Sequence, residues 1–401
     1  MLDDPADDSF EHGVSLIRAR RFAEAADIFR RLAKTTLTVN LALNLGICLA
    51  EIGDRAGAEH YLALAAGARP SDVNVRRLLG IAYGESGRTD LAERELLAAR
   101  AAKPGDPDTE LALAGLYLSL GRYAEGWPLM AARAALHPDL VPPVSTRFPE
   151  WRGEPLAGKS VLVWVEQGFG DQIQMARFAV LLKTRGAARV SLACRPQLAH
   201  LFSTLAGINT VISVAPRTTV AVDQHDYWSR YFSLPAPLGI TLQNLPTAPY
   251  LSAPADRRER WPRVPDGGRV GLVWQASPTG FNAANKSLPP ELARRLLDAG
   301  AVSLQPEDTG AQDFADTAAI IESLSLVISI DTAVAHLAGA MGKPVWTLLP
   351  YIRCDWRWLR DRADSPWYPT MTLYRQAHPR DWSGTVDQVL GDLASSGLAA
   401  S

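Results

Sequence analysis

Asp171 ends the run Gly168-Phe-Gly170-Asp171, directly after an apolar stretch and ahead of helically spaced apolar residues. A carboxylate there has two uses. It can cap the free N–H groups at a helix start, or, ionised and facing a cleft, it can take the proton of an attacking hydroxyl. The residues alone leave both open. Gly168 and Gly170 allow a tight turn and a close approach of backbone to a ligand. The spacing continues to Ile173 rather than to a third small residue, so the dinucleotide fingerprint is incomplete and a dehydrogenase is disfavoured.

A second constellation is Asp331-Thr332-Ala-Val-Ala-His336, after another apolar run. Free N–H groups and the helix dipole make such a start a phosphate site. Thr332 and His336 are four apart and share a helix face, so hydroxyl and imidazole can reach one ligand. A capping Asp-Thr with a buried histidine reads equally well. Lys286, in Asn285-Lys-Ser-Leu-Pro289, can face a diphosphate or stabilise developing negative charge; a solvated loop lysine is the alternative. The tail is aromatic and basic: Cys354-Asp-Trp-Arg357-Trp, Trp367-Tyr-Pro369 and Tyr374-Arg375-Gln376. Such residues can line a sugar site, but large aromatics more often pack a core. Arg357 and Arg375 are secondary candidates for phosphate or acceptor contacts. The sequence has no HExxH, CxxC or GxSxG pattern; its Asp106-Pro-Asp108 triplet lies among the 34-residue repeats, and Gly153-Glu-Pro-Leu-Ala-Gly-Lys-Ser160, though of Walker A spacing, runs into an apolar stretch instead of following one. A metal centre, a triad hydrolase and a P-loop ATPase are therefore not expected.

The elements that must position these residues alternate. Residues 159–166 read as a buried strand, 172–185 as a helix, and 189–193 and 210–213 as further strands. A second start at Arg269 opens the strand 270–274. It is followed by the strand 301–304, the helix 316–324, the strand 326–330, a helix from Asp331 to about Met341, and the strand 343–350. Alternation implies parallel sheets. Two starts about 110 residues apart imply two lobes, with a cleft between them as the natural ligand site.

Before residue 140 the pattern changes. Gly46, Gly80 and Ala114 are spaced by 34 residues, as are Pro70, Pro104 and Pro138, the set Ala58, Ala92 and Gly126, and the set Gly53, Gly87 and Gly121. Gly13, Ala25 and Phe29 mark an earlier, less regular copy. Small residues let two antiparallel helices approach, a glycine ends the first helix, and a proline ends the second. This resembles the tetratricopeptide repeat, with about four copies over residues 6–139. The resemblance implies an α-solenoid whose concave face binds a protein or peptide, or else serves as a cap or dimerisation arm. The proline-rich stretch from His137 to Arg147 is the expected linker.

The chain has 401 residues, 47% hydrophobic and 21% charged, with a net charge of -2. That balance gives no reason to expect nucleic acid or an anionic membrane as a partner. Cys48, Cys194 and Cys354 lie far apart, which suits a reducing compartment. The acidic N-terminus has no apolar run, so no signal peptide is read there. No window is apolar enough for a transmembrane segment. A cytoplasmic location is expected.

Glu166-Gln-Gly-Phe-Gly-Asp171, Trp274-Gln-Ala-Ser277, Lys286-Ser-Leu-Pro289 and Asp331-Thr-Ala-Val-Ala-His-Leu-Ala-Gly339 together resemble glycosyltransferase family 9, the group of the ADP-heptose:lipopolysaccharide heptosyltransferases. The match covers about residues 150–390. The tail looks like a subgroup that carries tetratricopeptide repeats in front. The resemblance implies a GT-B fold of two Rossmann-like lobes, inverting transfer and no metal or other cofactor. Asp171 would be the base. Lys286, Asp331, Thr332, His336, Gly168 and Gly170 would hold the nucleotide sugar, with Ser277, Glu307, Arg357 and Arg375 as further candidates. The segment from Ser303 to Asp316 is short for the family, and only Glu307 is a candidate for the carboxylate carried there.

The expected organisation is a repeat domain at 1–140, an acceptor-side lobe at 141–265 and a nucleotide-sugar lobe at 266–401. Repeat-bearing enzymes of similar architecture modify proteins, some of them flagellin. A protein acceptor held by the repeats is therefore one expectation. A saccharide or lipopolysaccharide acceptor is another, and an adaptor with a degenerate transferase domain is the third.

Overall fold

Antiparallel helix pairs form the N-terminal part because each pair closes around one small residue. The structure, a computed structural model, describes residues 9–261, 270–280 and 282–398. Arg269 and the boundary expected at 265/266 lie outside the described residues. The helices are α1 (Phe10–Arg18), α2 (Phe22–Ala33), α3 (Val39–Ile52), α4 (Arg55–Ala68), α5 (Val73–Glu85), α6 (Thr89–Ala102) and α7 (Pro107–Ser119). A Cβ on Gly13, Gly46 or Gly80 would lie 2.4–2.7 Å from Phe29, Leu62 or Leu96 respectively. In each pair the partner sits sixteen residues further on. Gly53 ends α3 in the left-handed region at φ 86°, and Gly87 follows α5 at φ 78°, where other residues are strained. Asp54 and Asp72 cap the next helices through their carboxylates. This is the tetratricopeptide pattern.

The chain divides into two compact units between Leu118 and Ser119. The division falls well before the expected boundary at 140. The reason is packing: α8 (Tyr123–Leu129) and α9 (Arg133–Leu136) belong to the second unit. Tyr123 and Trp127 of α8 are almost wholly buried. Their rings lie 5.7 Å from Trp367 and 5.4 Å from Trp356, respectively. The tail aromatics are thus core for the most part, as their size favours.

The second unit continues with β1 (Ser160–Trp164), α10 (Phe169–Thr184), β2 (Arg189–Cys194), α11 (Pro196–Phe202), β3 (Thr210–Ser213), β4 (Tyr227–Arg230), α12 (Pro235–Leu238) and α13 (Ala255–Arg260). Then come β5 (Val270–Val273), α14 (Ala283–Lys286), α15 (Pro290–Asp298), β6 (Ala301–Ser303), α16 (Pro306–Thr309), α17 (Phe314–Ser323), β7 (Leu326–Ile330), α18 (Ala333–Ala340), β8 (Val345–Leu349), β9 (Met371–Arg375) and α19 (Ser383–Ser395). The first sheet has the order β3-β2-β1-β4 and the second β6-β5-β7-β8-β9. Every pairing between these strands is parallel. Two Rossmann-like lobes of parallel sheet and helix are the GT-B architecture. β1, β5, β7 and β8 are buried along most of their length, which explains their unbroken apolar runs. β4 and β9 lie at sheet edges and escaped the sequence reading. β4 is short and polar, and β9 stands in the aromatic tail.

Candidate functional site

Each sheet reverses direction at one point, and in open parallel sheets ligands bind beyond the strand ends there. In the first sheet the reversal lies between β1 and β4, and in the second between β5 and β7. The segments that follow β1, β5 and β7 carry Asp171 in the first turn of α10, Lys286 at the end of α14 and Asp331 just before α18. The topology alone thus gathers the residues that the motifs singled out.

The turn after β1 departs from the sequence reading in one respect. The left-handed residue is Gln167 at φ 60°, not a glycine. Gly168 is the N-cap of α10 at φ -82°, so α10 begins at Phe169 and Asp171 is its third residue. Asp171 Oδ2 accepts from Gly168 N at 3.1 Å, so it does cap the helix. Gln172 fixes the turn. Its Nε2 donates to the carbonyls of Gln167 and Gly168, and its Oε1 accepts from Arg195 N at 3.0 Å. Gly170 serves close approach: a Cβ there would lie 3.0 Å from His336 Cδ2 and 3.4 Å from Ala333 Cα. The N-terminal ends of α10 and α18, one from each lobe, therefore meet.

Thr332 occupies the N-cap position of α18 in an extended conformation without a side-chain cap bond, and its Oγ1 lies 3.1 Å from Ser329 Oγ. One turn on, His336 is buried. Its ring stacks on Trp358 at 5.2 Å and 17°, and its Nδ1 lies 3.0 Å from Tyr368 Oη. Burial, with Arg357 adding to it, holds the imidazole well below its ordinary pKa, so it is neutral. Asp331 is buried and pairs with Lys286, Nζ to Oδ2 at 3.1 Å. The lysine side chain is only 13% exposed. It is not a solvated loop lysine: from the end of α14 it reaches Asp331, the residue before the N-cap of α18.

Arg357, a secondary candidate by sequence, is the hub. It is buried. Its Nη2 donates to Asp171 Oδ1 and its Nε to Gln174 Oε1. Its Nη1 donates to Asp355 Oδ2 at 2.7 Å. Burial pushes the Asp171 carboxyl above its usual range against the pull of Arg357, with Asp355 adding to the rise. A raised carboxyl is a stronger base once ionised.

The other candidates make different contacts. Arg375 is a scaffold: its Nη2 donates to Trp358 O at 2.7 Å and its Nε to Arg362 O at 3.1 Å, so it holds the loop that presents Arg357. Ser277 is exposed, with Thr279 Oγ1 at 3.2 Å. Glu307 is exposed on α16. Glu166, inside the matched motif, is wholly buried and structural. It forms a two-pronged pair with Arg133 of α9 at 2.9 Å and accepts from Phe232 N at 2.7 Å. Sequence reasoning missed Gln174, and it placed Asp355, Trp358 and Tyr368 only within the aromatic and basic tail that could line a sugar site, without giving any of them a role beside His336 or Asp171. Among the described residues no three His, Cys, Asp or Glu side chains cluster as metal ligands would. No helix among them is long and apolar enough to cross a membrane.

No family model matches the sequence. Protein FlbA of Caulobacter vibrioides is 26% identical over 335 residues, covering 72% of this chain and 55% of that protein. The chain thus spans just over half the length of that curated relative. Among solved structures, the glycosyl transferase family 9 protein from Veillonella parvula is similar over 61% of this chain and 99% of its own, with 12% identity and a TM-score of 0.45. YrrB, a TPR protein with an unusual peptide-binding site, covers 32% of this chain and 67% of its own at 21% identity and a TM-score of 0.29. MamA (AMB-1) covers 31% and 74% at 26% identity and a TM-score of 0.28. The strand orders and helix pairs, rather than these partial likenesses, establish the two folds.

Proposed function

We propose that the second unit is an inverting glycosyltransferase that moves a sugar from a nucleotide diphosphate to an acceptor hydroxyl without a metal ion. The carrying observation is the meeting of two helix N-termini, one holding Asp171 and the other the Lys286–Asp331 pair and His336. Asp171 takes the proton from the acceptor hydroxyl. That oxygen forms a bond to the anomeric carbon on the face opposite the diphosphate, and the carbon–oxygen bond to the diphosphate breaks. Attack from that side inverts the centre. Charge growing on the departing diphosphate meets the N–H groups at the start of α18, the Lys286 ammonium and neutral His336. Asp331 orients the lysine, and Thr332 stands at the N-cap position with its hydroxyl beside Ser329.

The repeats make a protein the favoured acceptor, presented by their concave face; a saccharide is the alternative. Cys48 and Cys194 are buried and unpaired, which supports a reducing cytoplasm. Glu307, the one candidate for the family's carboxylate, is exposed on the short α16, which favours one rival: a non-catalytic adaptor with a degenerate transferase unit.

Thermal stability against a panel of nucleotide sugars tests the reading. A ligand at about 100 times its dissociation constant adds roughly 2.7 kcal/mol. One donor is expected to raise the melting temperature, and His336→Ala is expected to lose most of that shift. If no donor stabilises the wild type, the adaptor reading takes its place. An equal shift in the variant removes His336 from the donor site.

A further inference from the structure

We infer that Tyr368 is a positioning residue that fixes the tautomer of His336, so that its Nε2–H faces the start of α10 as a hydrogen-bond donor to the diphosphate. The inference deepens the donor site proposed above and rests on that reading.

Several groups hold the two rings in place. Tyr368 and His336 are both buried, with Oη and Nδ1 3.0 Å apart. Trp358 stacks against the imidazole at 5.2 Å and 17°, which sets the plane of the ring. The tyrosine ring has its place because residue 339 is glycine. A Cβ there would come within 2.6–2.7 Å of the ring. On the tyrosine's other side, the Arg177 guanidinium lies 4.7 Å from the ring centre. Arg177 can only donate, so it leaves the Tyr368 hydroxyl proton for an acceptor. Tyr250, the other phenol nearby, donates its own proton to Ile173 O at 2.8 Å and takes one from Arg177 Nη2 at 3.2 Å. Tyr250 also acts on the Tyr368 hydroxyl, but His336 Nδ1, at 3.0 Å, is the acceptor that the geometry favours.

A neutral imidazole has one proton. With Nδ1 accepting, that proton sits on Nε2. The atom next to Nε2, Cδ2, is the one a Cβ on Gly170 would strike. The protonated edge therefore faces the junction of α10 and α18, where both helices aim free N–H groups. An anion there would find a donor in His336, whereas the other tautomer would present a lone pair and repel it.

The test is ¹⁵N-detected imidazole NMR on full-length wild type and Tyr368→Phe, each titrated with inorganic pyrophosphate. In the wild type, the His336 signal is expected to show proton-bearing Nε2 and bare Nδ1 before any ligand is added. Pyrophosphate is expected to move that Nε2–H signal. Tyr368→Phe is expected to show a mixture of tautomers and to bind pyrophosphate about tenfold more weakly, the loss of one hydrogen bond to a charged group. A proton on Nδ1 in the wild type overturns the inference, whatever the variant does. An unchanged tautomer in a folded Tyr368→Phe also overturns it. If Nε2–H is present but pyrophosphate does not bind, the donor-site reading fails and the tautomer assignment stands.

Discussion

Asp171→Asn is expected to lower the transfer rate by about 10²- to 10⁴-fold, the usual contribution of a positioned general base. The amide keeps the size and the acceptor that Gly168 N needs, so α10 stays capped. It loses the basic oxygen. Donor affinity should change little, because the donor groups lie on the other helix. The measurement is steady-state release of nucleotide with the donor found by thermal shift, with donor affinity measured in parallel. Turnover at the wild-type rate would sink the base assignment and leave Asp171 as a cap and a partner of Arg357.

The same site gives that prediction a pH signature. A base works when deprotonated, so the rate rises with pH through its pKa. Burial pushes the Asp171 carboxyl up and Arg357 pulls it down. The acid limb of the wild-type profile should therefore lie above the ordinary aspartate value of about 3.9. Arg357→Gln removes the downward pull, so its acid limb should move to higher pH. A limb that moves to lower pH would mean that Arg357 does not act on the base.

How far the sequence foretold this site depends on the distance between partners. Asp171, Asp331, Thr332 and His336 each sit at a strand end or in the first turn of a helix, and Lys286 closes the short α14; that local grammar is legible. Arg357 reads only as a basic residue among tryptophans. Its partner Asp171 is 186 residues away, and no spacing rule spans that gap. The Glu166–Arg133 pair was hidden for the same reason. Arg375 is conspicuous in the sequence, yet its guanidinium donates to the carbonyls of Trp358, Leu359 and Arg362 and to Cys354 Sγ. Gly168 and Gly170 were noticed for turn flexibility, yet the left-handed turn falls on Gln167 and Gly170 is needed for the approach of α18. The 34-residue period was visible because it repeats locally, but periodicity continues through α8 after packing has passed that helix to the second unit.

That last point decides where the chain can be cut. A fragment of residues 119–401 should fold cooperatively, whereas 141–401 should not. The longer fragment keeps α8 and α9. The shorter one loses Arg133 and leaves Glu166 buried without its cation, which costs about 3–5 kcal/mol. It also loses Tyr123 and Trp127, exposing Trp356 and Trp367 and emptying a site where loss of one large aromatic costs about 3–5 kcal/mol. Together these match or exceed much of the roughly 5–15 kcal/mol that keeps a domain folded. Urea unfolding of the two fragments, followed by tryptophan fluorescence, makes the comparison. Equal midpoints would show that α8 and α9 add nothing to the second unit. A folded 119–401 fragment that binds donor but no longer modifies a protein acceptor would assign acceptor capture to the repeats. The same failure in a 141–401 fragment would show only that the transferase unit had lost its core.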